Sequence, residues 1–125
     1  MLIVSHCEQP REEWRPGVVS RIDVSVRHGA TQLCIFEQWL EPETGPPTHI
    51  HPVEEVLTVL EGAAEMWIDN EHQVLVSGHS LIVPAGKPHG FRNVGAGVLH
   101  MRAVLAAPYM EMTVEGSSTP TQRGL

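Results

Sequence analysis

Residues Thr48 to Val56 read T-H-I-H-P-V-E-E-V, two imidazoles one residue apart followed by a proline and two carboxylates. Imidazole nitrogens and carboxylate oxygens are donors for a divalent transition metal, provided they reach a common point. On a β-strand alternate side chains share a face, so His49 and His51 point the same way, about 6.6 Å apart along the chain. On a helix these positions sit about 200° apart around the axis, so a strand is the regular structure that aims both together. Glu55 shares their parity, yet a straight strand would carry it roughly 13 Å past His51. A single ion with bonds of about 2.0–2.2 Å cannot span that. Pro52 offers a way out, because it has no N–H for a ladder and favours a strand end or a bend. The expected arrangement has the histidines closing one strand and Glu55 opening the next, facing back, with Glu54 turned away. A solvated or hydrogen-bonded histidine pair fits the same residues, so this stretch alone leaves both readings open.

A second stretch narrows the choice. Gly78 to Asn93, G-H-S-L-I-V-P-A-G-K-P-H-G-F-R-N, reads as an apolar strand, a turn and a second strand beginning at His89. Pro84 suits the second position of a tight turn and Gly86 the fourth, and Pro88 sets the approach to His89. A histidine at the mouth of a strand after a rigid turn is well placed as a third imidazole.

The elements around these stretches read as β throughout. In R-I-D-V-S-V-R, residues 21–27, apolar Ile22, Val24 and Val26 alternate with Asp23, Ser25 and Arg27, the period of a half-buried strand. Short runs such as Q-L-C-I-F-E-Q-W-L, A-A-E-M-W-I-D and V-L-H-M-R-A-V-L-A follow, rich in aliphatic, β-branched and aromatic residues. Glycine, proline, asparagine and aspartate punctuate them, and no window holds a 3.6-residue period for three turns. Many short strands with regular turn signals imply a closed all-β sandwich, jelly roll or barrel. The division expected is an N-terminal extension over 1–17, a β-domain over 18–114 and a polar, flexible tail over 115–125.

Composition excludes several classes. Net charge is −7, with Lys and Arg scattered, so no nucleic-acid surface is expected. No run approaches the roughly 18 apolar residues of a membrane helix, and the N-terminus lacks the basic lead of an export signal. Cys7 and Cys34 form no C-x-x-C pair, so two reduced thiols in a cytoplasmic protein are expected.

The two stretches together resemble the cupin superfamily, whose first motif is G-x5-H-x-H-x3-4-E-x6-G and whose second is G-x5-P-x-G-x2-H-x3-N. Here the first is His49, His51, Glu55 and Gly62, with its glycine displaced to Gly45, three residues intervening before His49 instead of five. The second is complete in Gly78, Pro84, Gly86, His89 and Asn93, and Ala63 to Ser77 separate the two. The resemblance implies a small double-stranded β-helix, a jelly-roll barrel of six to eight strands. It also implies one divalent transition metal, Fe, Mn, Co, Ni, Cu or Zn, held by His49, His51, Glu55 and His89. Absence of thiolate argues against a closed structural zinc site.

Other residues depend on which way they face. In 98–106 alternation groups His100, Arg102 and Val104 against Leu99, Met101, Ala103 and Leu105. Facing inward, Arg102 would clamp a substrate carboxylate and His100 would serve as acid or base; facing outward, both are surface residues. Gln38 and Thr58 are further substrate-binding candidates on neighbouring strands. His6, His28, His72 and His79 read as surface residues, Trp39 and Trp67 as core or subunit contacts. Two functions are consistent with this: a metal-dependent dioxygenase, isomerase or lyase acting on a small oxygenated, carboxylate or sugar-acid molecule, or a metal-loaded small-ligand sensing module. A homodimer is expected, with residues 21–27 as an edge strand.

Overall fold

Apolar residues at alternate positions need a partner layer to bury them, and in the computed structural model, which describes residues 1–125, twelve strands provide it. They are β1 (Arg11–Arg15), β2 (Val18–Val24), β3 (Cys34–Leu40), β4 (His49–Ile50), β5 (Glu55–Glu61), β6 (Ala63–Ile68), β7 (Glu71–Val76), β8 (Ser80–Val83), β9 (His89–Asn93), β10 (Leu99–Leu105), β11 (Met110–Val114) and β12 (Thr121–Arg123). One sheet runs β1-β2-β3-β10-β5-β8 and the other β12-β11-β4-β9-β6-β7, six strands each. Both contribute to a single cluster of 18 buried apolar residues, among them Phe36, Leu57 and Met101 from the first sheet and Met66, Phe91 and Met110 from the second. This is the jelly-roll barrel, all-β, with only two short 3-10 turns at His6–Glu8 and Val26–His28. No helix is long and apolar enough to cross a membrane.

Strict alternation is clearest in β3 and β10, where every second residue is buried. Full pairing on both sides holds these two in register, Leu99 opposite Leu40 through Leu105 opposite Cys34. Cys34 and Met66, Met101, Met110 and Met112 are buried as their apolar character predicts. Both cysteines are free thiols.

Three expectations about the ends and edges are corrected. Residues 21–27 do not form an edge strand: β2 ends at Val24, pairs with β1 and β3, and Val26–His28 curls into the 3-10 turn. The register slips between Ile22 and Val24, leaving Asp23 as the extra residue, held against outward-facing Arg21 and only 1% exposed. Residues 11–15 belong to the sheet as β1, its true edge, because β2 leaves that ladder side open for pairing. The C-terminal residues are likewise tied down. β12 pairs with β11, and the Ser25 hydroxyl donates to the Gly124 carbonyl at 2.7 Å. Polar composition marks exposure of side chains, not freedom of a backbone whose N–H and C=O groups find partners.

Asp23 sits in an ionic cluster. Arg21 donates from Nε to Asp23 at 2.9 Å and from Nη2 to Glu37 at 2.6 Å, and His100 Nε2 lies 2.7 Å from Glu37. Burial, then the neighbouring Glu37 carboxylate, raises the Asp23 pKa to about 6. Glu37 suffers burial too, but its contacts with Asp23, Arg21 and His100 hold it down at about 2. The pair therefore titrates as a unit in which Asp23 keeps the proton. A raised acid contributes stability that is full below its ordinary value of 3.8 and is lost as pH rises through about 6. We expect Asp23→Asn, which is neutral at every pH, to gain melting temperature relative to the unmodified chain between about pH 4 and pH 7. Calorimetric melts across that range check this, and a constant difference would refute the assignment.

Candidate metal centre

The chain crosses from one sheet to the other at the stretch that opened the sequence. β4 is two residues long, His51 follows it, Pro52 and Val53 turn, and Glu55 begins β5 in the opposite sheet. Gly86 N–H donates to the His51 carbonyl at 2.8 Å, tying this crossing to the Pro84–Gly86 turn that leads into β9. His49 lies directly opposite His89 across β4 and β9. Glu54 is exposed and Glu55 buried, as the bend requires.

His49, His51, Glu55 and His89 come together in the interior, each no more than 5% exposed. The imidazole ring centroids lie 4.3 to 5.0 Å apart, and one donor nitrogen from each ring falls within 4.8 Å of the others. Each Nδ1 faces a backbone carbonyl: Pro47 at 2.7 Å, Glu111 at 2.7 Å and Lys87 at 2.9 Å, for His49, His51 and His89 in turn. A carbonyl oxygen only accepts, so each Nδ1 carries a proton and each Nε2 is left to the centre. There, Glu55 oxygens lie 3.1 Å from His89 Nε2 and 3.3 Å from His51 Nε2. The latter contact lacks hydrogen-bond geometry, so His51 Nε2 is a buried polar atom with no hydrogen-bond partner. Lone pairs facing a carboxylate at such distances need a proton or a cation between them. Three imidazoles and one carboxylate are a donor set that fits a divalent transition ion.

The charges agree with this. Burial, and then the nearby His89, drop the His49 pKa to about 4, so it is a neutral donor at pH 7. Burial works against His51 too, but the Glu55 carboxylate outweighs it and raises its pKa. Burial of Glu55 is likewise outweighed, by His51 and His89, which bring its pKa to about 2.

A cavity of about 30 Å3 opens beside the cluster, room for one or two water molecules. Its walls include Phe36, Leu57, Phe91, Met110 and Met112, and Trp14, Arg15 and Pro46 stand at its less buried side. Gln38 lies on this wall, its amide donating to Ser20 Oγ at 3.0 Å. His100, Arg102 and Thr58 do not reach it. Leu99, Met101 and Ala103 take the inward face of β10, leaving His100 stacked on Trp39 and Arg102 exposed on the outside. Thr58 is three residues from inward-facing Glu55 on the same strand, so it faces out and meets Ser80 Oγ at 2.8 Å. Strand parity from Glu55 alone carries that last result. Trp14 and Arg15 escaped sequence reading because R-E-E-W-R has no clean alternation. Of the remaining histidines, His28 closes the 3-10 turn through Ser25 and His72 stacks on Trp67, both away from the cluster.

Residues 36–105 match the family described as "Cupin domain". Among curated proteins, quercetin 2,3-dioxygenase of Bacillus subtilis (strain 168) is 32% identical over 75 residues, half of this chain and 22% of that protein. The HTH-type transcriptional regulator PuuR of Escherichia coli (strain K12) is 37% identical over 82 residues, 66% of this chain and 44% of the regulator. The chain thus spans between 22% and 56% of the length of the curated relatives it matches. Among solved structures, the polyketide cyclase RemF from Streptomyces resistomycificus superposes with a TM-score of 0.79 at 21% identity, covering 94% of this chain and 87% of that one.

The displaced motif glycine has a packing role in the approach to His49. A Cβ on Gly45 would lie 1.9 Å from the Phe91 carbonyl and 2.9 Å from Arg92 Cα, both backbone of β9. Only glycine lets this loop lie against the strand that carries His89. Gly45→Ala is expected to cost about 1–3 kcal/mol, as overpacking does, with the loss read from urea unfolding. An unchanged midpoint would show that the loop moves freely.

Proposed function

The chain belongs to the cupin family, and from that membership we propose that His49, His51, Glu55 and His89 hold one divalent transition metal ion in an enzyme acting on a small oxygenated molecule. The observation that carries this reading is the gathering of three imidazoles whose Nδ1 atoms are held outside, with the Nε2 atoms of His51 and His89 on Glu55 and His51 Nε2 lacking any hydrogen bond. A bound ion of this kind polarises a substrate oxygen and, if redox-active, supports dioxygen chemistry. The chain's own part is positional. The backbone carbonyls of Pro47, Glu111 and Lys87 hold the rings in one tautomer, and the apolar walls exclude bulk water. Gln38 is the neutral polar side chain on the wall, able to accept a hydrogen bond through its oxygen while its amide is held by Ser20.

Two reaction classes remain within this reading, dioxygenation and an isomerase or lyase reaction, and turnover under argon separates them. A sensing module is a second reading, favoured by the 37% identity to part of a transcriptional regulator. Ligand-induced thermal shift without turnover would support it. Pairing of two copies also belongs to the proposal, since Val74, Val76 and Ile82 expose apolar surface on the edge strands β7 and β8.

Metal content by mass spectrometry, on protein purified without a nickel column, is the direct test. About one equivalent per chain is expected. Loss of a residue that merely orients a ligand costs about 10–100-fold in metal affinity, so His51→Ala is expected to lose more. Unmodified protein that neither contains metal nor takes it up would refute the proposal.

A further inference from the structure

Arg15 is an inward-facing cation without a counter-ion. Between β1 and β2, Glu13 lies opposite Val19 but Arg15 lies opposite Val18, so Trp14 is the extra residue of a β-bulge. A bulge re-aims the side chain that follows it. Val18 is buried and residues paired across strands share a face, so Arg15 points in as Trp14 does. Without the bulge, alternation would put one of them outside.

Arg21, also half-buried, differs in holding Asp23 and Glu37. Arg15 has no hydrogen bond to any side chain and no carboxylate within ion-pair distance. Burial, and then the charge of Arg123, lower its pKa. Arg123 lies opposite cavity-lining Met110 across β11 and β12, with its guanidinium 4.8 Å from the Trp14 ring. Arg123 thus lies over the indole at the rim, and neither guanidinium has an acid within ion-pair distance. A half-buried, unpaired cation is unfavourable unless something outside the chain completes it.

We infer that Arg15, with Arg123 beside it, is the anchor for the carboxylate of a small ligand whose carbon body is apolar. This rests on the reading of the adjacent cluster as a metal-dependent site, because that cluster is what the ligand's other end faces. The planar guanidinium matches a carboxylate with two parallel hydrogen bonds. The body follows from the wall, where Phe36, Leu57, Phe91, Met110 and Met112 offer no partner to a hydroxyl. A sugar acid would bury several hydroxyls with Gln38 as the one neutral partner, which disfavours it. The enclosed space of about 30 Å3 is small, so the ligand's carboxylate end sits at the rim between Arg15 and Pro46.

The test is calorimetric titration with acetate, butyrate and benzoate, each beside its neutral amide, and with inorganic phosphate. It is run on metal-loaded and metal-free protein, for the unmodified chain, Arg15→Gln, Arg15→Lys and Arg123→Gln. We expect every acid to bind at least about tenfold more tightly than its amide, a preference abolished in Arg15→Gln and intermediate in Arg15→Lys. Without ligand, Arg15→Gln should melt no lower than the unmodified protein, because it removes an unpaired cation; a structural role for Arg15 would lower it. Equal affinity for acid and amide in the unmodified protein overturns the inference, as does a preference that survives in Arg15→Gln. Phosphate binding as tightly as butyrate overturns the apolar body. A chain that takes up no metal yet prefers acids through Arg15 refutes the metal reading and leaves this one standing.

Discussion

Three backbone carbonyls govern the interior of this barrel. Those of Pro47, Lys87 and Glu111 each accept from a buried imidazole Nδ1, and that decides where every proton in the cluster sits. Two of the three belong to the residue two positions before the histidine they hold, His49 and His89. Both approaches run through prolines, Pro46-Pro47 and Pro88, whose fixed φ keeps the carbonyl in place. The third comes from β11, which pairs with β4 and is itself backed by β12. The tautomer of His51 therefore depends on pairing that reaches to the C-terminal residues.

Charge is handled in two ways on the two sides of the first sheet. On the outer face, Arg21, Asp23, Glu37 and His100 satisfy one another, so the network closes on itself. Inside, Glu55 is enclosed by imidazoles, and Arg15 has no acid at all. A closed network is structural by its own arithmetic. An open one, with a carboxylate facing nitrogen lone pairs and a cation facing an apolar cavity, is incomplete without something from outside the chain. That difference, more than residue type, separates His100 from His49: both are imidazoles near a glutamate, and only one stands in an unfinished set.

The same device places both special carboxylate and cation contacts. A slipped register at Asp23 sets an acid beside Arg21 in the outer network, and a second slip at Trp14 turns Arg15 toward the cavity. Bulges of this kind cost a ladder position and gain a direction that strict alternation forbids.

Sequence alone determined what depends on spacing along one chain. His49 and His51 share parity, Pro52 must bend, Glu55 must open a new strand, and Pro84 and Gly86 must turn before His89, because backbone geometry leaves each little choice. The apolar run around Cys34 likewise placed that residue in the core. What depended on partners could not be read. Which face of β10 looks inward was decided by pairing with β3 and β5, and it sent His100 and Arg102 outside. The ends of the chain became β1 and β12 because neighbouring strands offered unpaired backbone groups. Arg15 and Trp14 reached the cavity through a bulge, a mismatch between two strands that neither one carries by itself.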